Sequence, residues 1–462
     1  MTACKTITPE CAHKDRCGSR CDVRREVRVV VADTKYNCDH LEGTFLDDSH
    51  YDLLVDEDCD FYAPPSGIDG KCSEANIIFK LRKNVFSADE MRTCYEALSD
   101  AATGTQNRGA AGGFEKTGML STREWVNDFQ HEALEAMLKQ GRTIDGRDFL
   151  DEVMDRREEL EKKNTSARVW GRAAVLADHP QYEGWFDSWL EGVKNLPSEE
   201  RKAAAEKACG YMSNTHYANE VMSGIAGYFD RYPRIPYGRA TSYTENNPER
   251  FKGCFQYVER LNDEFKYLLP ERWVRQRAAA DKLDPRFLVG NTVFTTITVN
   301  KNFRTAAHWD AGDLSTGFSN LGVITNGKDY RGGYLVLPEF RVAVNIRPGD
   351  VLLINNHEGL HGNTAIEGDE GFERMSLVCY FREKMLDLGS WEYEQVRKLF
   401  VETRRQDRSH PEWRHLWNGV SPGMWDTQEW YDFLTKNLSE EEARKYHPEA
   451  FQKAATLEDL FG

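Results

Sequence analysis

The chain has 462 residues, a formal net charge of −16 and 29% charged residues. That length allows about three domain-sized units, or one large core with insertions. No stretch approaches the roughly 18 apolar residues of a membrane-spanning helix, which argues against a membrane protein. The acidic balance argues against a general polyanion binder, but a local basic groove stays compatible with it. The first residues also lack the apolar run of a secretory signal, so we expect an intracellular protein.

Residues 1–75 hold most of the cysteines and show little periodicity, and we interpret them as an irregular lead-in. The total of 11 cysteines is odd, which favours free thiols in a reducing compartment. A structural zinc site is the alternative, because thiolates and imidazoles are zinc ligands. Four such side chains lie close together, although their spacing matches no zinc motif well: Cys11, His13, Cys17 and Cys21.

Residues 76–114 are predicted to begin the folded core. The β-rich run Ile77–Leu81 predicts a strand, and Ser87 with Glu90 forms a capping box that starts a helix extending to about Leu98. A glycine-rich loop, TGTQNRGAAGG, follows at 103–113.

Residues 115–285 are predicted to form a mainly helical insertion. A capping box at Ser121–Glu124, a highly charged run at 145–163 and an alanine-, glutamate- and lysine-rich run at 197–210 favour helices there. Residues 386–462 are predicted to form a helical C-terminal extension, with a further capping box at Ser439 and Glu442.

The composition between residues 286 and 385 is different. Short β-branched runs such as TVFTTITVN, GYLVLP and SLVCYF alternate with the turn sequences NGKDYRGG and RPGD. Several short strands joined by tight turns are typical of a sandwich or jelly roll. The sequence therefore predicts an α+β protein whose β-rich core carries a large helical insertion and a helical tail.

This β-rich region also holds a candidate metal site. His308 and Asp310 are two residues apart, so on a strand both side chains point to the same face. A second histidine would complete two imidazoles and one carboxylate, the facial triad that leaves positions open on Fe(II). His361 and His357 compete for that place, and we favour His361 because it lies nearer to Arg374 and precedes a glycine. The Arg374 guanidinium suits a carboxylate, so the set predicts a chelating co-substrate such as 2-oxoglutarate.

At these residues the sequence resembles the TET/JBP family of nucleic-acid 5-methylpyrimidine dioxygenases, within the Fe(II)- and 2-oxoglutarate-dependent superfamily. Three motifs carry the resemblance: Asn107-Arg108-Gly109, His308-Trp-Asp310-Ala-Gly-Asp313, and Arg374-Met-Ser376 followed by Tyr380. They lie within 76–114 and 285–385, less than half of the chain. The family fold is a double-stranded β-helix, which agrees with the jelly-roll prediction.

The resemblance implies a role for each matching residue. His308, Asp310 and His361 would bind Fe(II), while Arg374 and Ser376, with Arg108 nearby, would bind 2-oxoglutarate. The base-binding residues would be Asn107 and Asp313, which hydrogen-bond a flipped base, and Tyr380, which stacks on it. Arg382 is a departure, because the family usually has a base-contacting histidine at this position, and it leaves the identity of the base open.

The expected activity is oxidation of the methyl group of 5-methylcytosine in DNA, through base flipping and hydrogen abstraction by a ferryl oxidant. An ionised Asp313 can only accept hydrogen bonds, which favours the cytosine amine over the thymine carbonyl, whereas Arg382 favours the carbonyl. Thymine hydroxylation, use of ascorbate as co-substrate, hydroxylation of a protein or small molecule, and a non-catalytic DNA-binding module remain alternatives. DNA is the expected partner and the nucleus the expected location in a eukaryote; protein partners stay open.

Overall fold

The computed structural model of the chain describes residues 26–64, 72–105, 108–113, 220–232, 235–310, 312–406 and 424–451, together with the backbone of 2–7. The chain divides into two compact units. The first comprises Met1–Gly113, Asn219–Thr403 and Pro422–Gly462, and the second Phe114–Ala218 and Arg404–Ser421. The helices predicted to begin at the Ser121–Glu124 capping box and to cover 145–163 and 197–210, and the cysteine cluster at 11–21, lie outside the described residues.

Seventeen strands lie in the described ranges. In chain order they are β1 (Thr2–Ile7), β2 (Glu26–Val31), β3 (Leu53–Val55), β4 (Cys59–Tyr62), β5 (Ile77–Arg82), β6 (Thr103–Thr105), β7 (Val221–Phe229), β8 (Arg239–Ala240), β9 (Thr296–Lys301), β10 (Ser319–Thr325), β11 (Tyr330–Gly332), β12 (Leu335–Leu337), β13 (Val342–Val344), β14 (Val351–Ile354), β15 (Gly362–Asn363), β16 (Ile366–Gly368) and β17 (Arg374–Tyr380).

Most of the strands form one large sheet and one smaller sheet. The large sheet has the order β1-β2-β4-β5-β14-β10-β17-β9-β7-β6, with β8 paired to β7. The smaller sheet has the order β15-β12-β13-β3, and β11 pairs with β16 as a separate ribbon. A buried apolar cluster joins the sheets, with Phe79 and Leu352 from the large sheet and Leu337 and Val344 from the smaller one. This two-sheet core confirms the predicted double-stranded β-helix.

The described ranges also contain eight α-helices, α1 (Ala88–Leu98), α2 (Ser242–Asn246), α3 (Pro248–Lys252), α4 (Phe255–Leu268), α5 (Pro270–Ala280), α6 (Trp391–Gln406), α7 (Gln428–Asn437) and α8 (Glu440–Tyr446). None of these helices is long and apolar enough to cross a membrane.

Helices α1, α4 and α5 cover the face of the large sheet opposite to the smaller sheet. In β14, Leu352 packs toward the smaller sheet while Leu353 packs with Leu98 and Phe265 of the helices. This alternation follows from the two-residue period of a strand, and it explains why β14 is apolar at every position. The Ser87 capping box that was predicted to start α1 is present, with both of its reciprocal hydrogen bonds.

The structure corrects one part of the sequence-based division and adds a strand to another. Residues 1–75 are not an irregular lead-in, because β2 and β4 extend the large sheet and β3 pairs in parallel with β13 of the smaller one. Residues 115–285 were predicted to be mainly helical, and in their described part helices α2 to α5 are joined by the nine-residue strand β7 (Val221–Phe229), which pairs with β9. In both cases the pairing partner lies far along the chain, so local sequence patterns do not reveal it.

Candidate functional site

The candidate site is a cavity of about 430 Å³ whose floor is part of the large sheet. Alternate residues of β17 share one face, so Arg374, Ser376, Val378 and Tyr380 all line it. The directly paired residues of the neighbouring strands line it as well: Thr298 and Asn300 of β9, and Leu321 and Val323 of β10. The cavity thus combines charged, polar and apolar walls.

The two histidines of the candidate metal site are held together by a short backbone bridge. The His308 N–H donates to the His361 carbonyl at 2.9 Å, and the His361 N–H donates back at 3.0 Å. Gly362 permits this approach, because a Cβ there would lie 2.9 Å from backbone atoms of Ala306 and Ala307. Ligand atoms of His308, Asp310 and His361 lie within 4.8 Å of one another, so these three side chains could hold one metal ion.

Each imidazole is oriented by a carbonyl two residues before it. Nδ1 of His308 lies 2.7 Å from the Ala306 carbonyl oxygen, and Nδ1 of His361 lies 2.9 Å from that of Gly359. Because a carbonyl only accepts, each Nδ1 carries the hydrogen in this arrangement, so in the neutral form of each imidazole Nε2 keeps its lone pair. These Nε2 atoms lie 3.5 and 3.8 Å from the Asp310 carboxylate oxygens. This is the donor set that a metal ligated by two imidazoles requires.

Asn356 orients the carboxylate of the set. Its amide Nδ2 donates to Oδ2 of Asp310 at 3.0 Å, and the residue is almost fully buried. His357, the competing candidate, is exposed, and its Nδ1 lies 3.4 Å from the Asp310 backbone oxygen. The structure therefore groups His361, and not His357, with the other two candidate ligands.

The pKa values of the three groups follow from burial and mutual charge. Burial, together with the charge of His308, lowers the pKa of His361 to about 4, so this imidazole is neutral at neutral pH. Burial opposes ionisation of Asp310, but hydrogen bonding and the charges of the two histidines lower its pKa to about 2. Burial also opposes the charged form of His308, and the nearby Asp310 carboxylate outweighs it and raises the pKa of that imidazole.

Arg374, which is buried, and Arg108, which is half-buried, bring two cations to the cavity. Arg374 is 2% exposed, its guanidinium lies 5.5 Å from the centre of the Tyr330 ring, and its Nε has no hydrogen-bond partner among the described residues. Nε of Arg108 is equally unpaired within the described part, and burial lowers the pKa of this arginine. Unpaired buried guanidinium donors fit an anionic group entering the cavity.

Asp313 and Arg382 lie side by side at another wall of the cavity. A backbone bridge pairs the two residues, which both line the cavity. Asp313 is buried and accepts a hydrogen bond from Oγ of Ser319 at 2.7 Å. Burial, then the charge of Asp310, raises the pKa of Asp313 to about 8. In the metal-free protein this favours the neutral carboxyl at pH 7, and a neutral carboxyl can donate as well as accept a hydrogen bond, whereas an ionised one only accepts.

Tyr380 lies beside this pair, and Arg382 hydrogen-bonds its side chain. Burial raises the pKa of Tyr380, which keeps the phenol protonated. Nε of Arg382 donates to Oδ1 of Asp230 at 2.7 Å. Asn107, the remaining predicted base contact, lies outside the described residues.

Sequence reasoning missed Asn356, Asp230 and Glu42, the last of which lines the cavity from the N-terminal region. Asn356 precedes the candidate ligand by five residues and could have been noticed in the NNHEGLHGNT run. Asp230 and Glu42 carry no comparable signal, because each belongs to a segment that reaches the site only through long-range packing.

Residues 224–383 match the Tet_JBP family, the oxygenase domain of the 2OGFeDO superfamily, whose members use Fe(II) and 2-oxoglutarate. The chain is 35% identical to the thymine dioxygenase JBP1 of Leishmania braziliensis over 194 residues, which are 41% of this chain and 23% of that protein. It is 38% identical to the thymine dioxygenase JBP1-B of Trypanosoma cruzi over 35% of this chain and 19% of that protein. The chain thus spans about a quarter or less of the length of these relatives.

Among solved structures, NgTET1 in complex with 5mC DNA overlaps 81% of this chain and 89% of that chain, at 12% identity and a TM-score of 0.38. An oxidoreductase of the 2OG-Fe(II) oxygenase family from Burkholderia pseudomallei overlaps 35% of this chain and 68% of that one, at 14% identity and a TM-score of 0.20. Both overlaps are too loose to carry an argument.

Proposed function

We propose that the chain, whose residues 224–383 match the Tet_JBP oxygenase domain, oxidises the methyl group of a 5-methylpyrimidine base in DNA. One observation carries the proposal. A single cavity of about 430 Å³ is lined by the three candidate metal ligands, by Arg374, whose Nε has no partner among the described residues, and by the Asp313–Arg382 pair. It therefore has groups for a metal, for an anionic co-substrate and for the polar edge of a base.

The residues present fit Fe(II) and 2-oxoglutarate. His308, Asp310 and His361 would hold the metal, because both Nε2 lone pairs and the carboxylate converge while carbonyls and Asn356 orient them. When bound, iron and 2-oxoglutarate supply the oxidation of a carbon–hydrogen bond, coupled to decarboxylation of the co-substrate.

The protein side chains select and orient the reactants. Arg374 would pair with the free carboxylate of 2-oxoglutarate, with the Ser376 hydroxyl on the same face two residues away. The apolar side chains of Leu321 and Val378 line the same cavity and would limit the entry of water.

The target base has to leave the duplex before its methyl group can reach this cavity. Tyr380 has an aromatic face for stacking, and Asp313 with Arg382 supplies hydrogen-bonding groups for the edge of the base. Arg108 adds another cation to the cavity. Asn107, which precedes Arg108 in the sequence, remains a proposed base contact.

We propose thymine as the favoured base. Thymine presents the acceptor O4, whereas 5-methylcytosine presents a donor amine at the same position. With its pKa raised to about 8, Asp313 is protonated at neutral pH and can donate to O4. Arg382 carries only donors, and the relatives with the matches described above are thymine dioxygenases.

Oxidation of 5-methylcytosine is the second candidate, and an ionised Asp313 is what would favour it. A carboxylate accepts from the cytosine amine, while Arg382 could then donate to the ring nitrogen N3. The choice between the two bases therefore depends on the protonation of one carboxyl group. If chromosomal DNA is the substrate, the protein must reach it, which in a eukaryotic cell means the nucleus.

Mass spectrometry of nucleosides tests the proposal. Protein with Fe(II), 2-oxoglutarate and ascorbate is incubated with duplex DNA containing thymine alone or thymine and 5-methylcytosine. His308→Ala is the inactive control and His357→Ala the matched histidine control. A thymidine product heavier by one oxygen atom, absent with His308→Ala, supports the proposal. Product from 5-methylcytosine alone would support the second candidate. Succinate release without any change to a base would contradict DNA as the substrate and favour a protein or small-molecule hydroxylase. A base that carries an adduct derived from ascorbate would identify ascorbate as the co-substrate.

A further inference from the structure

The position and surroundings of Arg382 point to a second layer of base recognition, which rests on the proposed function. We infer that Asp230 and Phe229 form a clamp that fixes the Arg382 guanidinium beside Asp313, and that this clamp sets the preference between thymine and 5-methylcytosine. Asp230 and Phe229 would thus be positioning residues, which act on the base only through Arg382.

The clamp spans three adjacent strands. Strand β9 lies between β17 and β7 in the large sheet. Thr295, just before β9, receives the Arg382 backbone N–H at its Oγ1, and its carbonyl receives the Tyr228 N–H. Two strand spacings amount to roughly 10 Å, so only a long side chain can extend from the end of β17 to the end of β7. Arginine has that length.

The contacts of Arg382 occupy one edge and one face of its guanidinium. Nε donates to Oδ1 of Asp230 at 2.7 Å, and Asp230 is 4% exposed. The guanidinium carbon lies 3.9 Å from the centre of the Phe229 ring, within the range of a cation–π contact. The guanidinium carbon of Arg239 lies 5.3 Å from the centre of the same ring, and Nη1 of Arg239 donates to the Asp230 backbone oxygen at 2.9 Å. Arg239 thus contacts both residues of the clamp and stabilises their positions.

The consequence is a donor group with little rotational freedom. With Nε bound to Asp230, the other nitrogens of Arg382 remain for Tyr380 and for the cavity that Arg382 lines. A fixed Arg382 guanidinium next to the Asp313 carboxyl presents two adjacent hydrogen-bonding groups to the edge of the base, each in a defined position. Because thymine and 5-methylcytosine present opposite groups at C4 and N3, a fixed order discriminates between them, whereas a freely rotating arginine would satisfy either base.

Asp230→Asn tests the clamp, because it keeps the size of the side chain and removes its charge. Wild type and variant are compared for kcat and KM on thymine and on 5-methylcytosine in the same duplex, for succinate release without DNA, and for melting temperature. We expect KM for DNA to rise about tenfold. The ratio of kcat/KM for the two bases should fall about tenfold, toward a value of one. Succinate release without DNA should stay unchanged, because the iron and 2-oxoglutarate groups do not touch Asp230.

Asp60→Asn is the matched control. Asp60 is also a buried carboxylate of the large sheet, paired with Lys80 at 2.7 Å and Arg82 at 2.8 Å, but it does not line the cavity. We expect this variant to lose melting temperature without any change in base preference. Equal changes of preference in Asp60→Asn and Asp230→Asn would overturn the clamp and leave only a stability effect.

Two further variants keep the inference testable if Asp230→Asn folds poorly. Phe229→Leu removes the ring face and should reduce the preference about threefold. Arg382→Lys keeps the charge but not the fork, and adding Asp230→Asn to it should change the preference no further, since both act through one group. An unchanged preference in Phe229→Leu, or additive losses in the double variant, would overturn the inference. A wild-type protein that oxidises neither base would instead overturn the proposed function.

Discussion

The two ends of the cavity are built in different ways. At the metal end, each histidine is oriented by the carbonyl two residues before it, and the carboxylate by an asparagine of the neighbouring loop. At the base end, Arg382 is held by Asp230, which lies 152 residues away along the chain. A side chain that is oriented by nearby backbone or loop groups can keep its position when the surroundings change. A side chain that is held by a distant segment can be displaced by a substitution in that segment. In the proposed reaction, the metal end would determine whether the protein oxidises a substrate, and the base end would determine which base is oxidised.

Removing a metal ligand should have the largest effect. In His308→Ala, two ligands remain, so we expect iron affinity to fall and DNA oxidation to drop on the order of 10³-fold or more. Iron content after gel filtration and product yield measure both. His357→Ala, in the same loop as His361 but exposed, should keep most of the activity. Equal losses in the two variants would show that the three-residue group is not the metal site.

Changing the co-substrate arginine should come next. Arg374→Lys keeps the positive charge but loses the planar fork, so we expect KM for 2-oxoglutarate to rise about 30- to 100-fold with a smaller change in kcat. Titration of 2-oxoglutarate at saturating DNA measures this. Arg286→Lys is the control, because Arg286 forms an exposed ion-pair group with Asp284 and Glu392 outside the cavity. An unchanged KM would assign the co-substrate carboxylate to another group, with Arg108 the first candidate.

Loosening the carboxylate of the metal end should have a moderate effect. Asn356→Ala frees Oδ2 of Asp310 from its amide partner, so we expect about 10- to 100-fold weaker iron binding. Activity should recover when iron is raised, since the three ligands themselves remain. A loss that excess iron does not restore would mean that Asn356 contacts a substrate instead.

The pH dependence of base choice should be the smallest effect. The raised pKa of Asp313, about 8, means that the carboxyl is protonated below that pH and ionised above it. As pH rises from about 6.5 to about 9, we expect thymine oxidation to fall several-fold relative to 5-methylcytosine oxidation. A cation bound at Asp310 offsets the charge that helps to raise this pKa, so the turning point should lie below 8 in the iron-loaded protein.

Asp313→Asn cannot ionise and provides the comparison for that experiment. Its ratio of thymine to 5-methylcytosine product should not change across the same pH range. If the ratio of the wild-type protein is equally flat, the protonation of Asp313 does not select the base, and Arg382 carries the selection alone.

The sequence was informative wherever a feature depends on neighbouring residues. The strand Ile77–Arg82, the helix Ala88–Leu98 and the short strands between 296 and 380 follow from local composition, capping and turn residues. The spacing of His308 and Asp310 likewise predicts two ligands on one face. Expectations about Asn107 and the cysteines near the N-terminus remain predictions, because those residues lie outside the described ranges.

The tertiary structure decided what depends on distant partners. Strand β3 belongs to the core because it pairs with β13, and β7 is a strand because it pairs with β9. The protonation of Asp313 follows from its burial, which no spacing of residues along the chain encodes. The anchoring of Arg382 follows from the end of β7 lying two strands away from it. The sequence by itself thus determined the types of side chain available as candidate metal ligands, since His308 and Asp310 are two residues apart and both histidine candidates follow in one short run. Only the folded chain decided which histidine joins them and what surrounds the base, since strand pairing and burial exist only after folding.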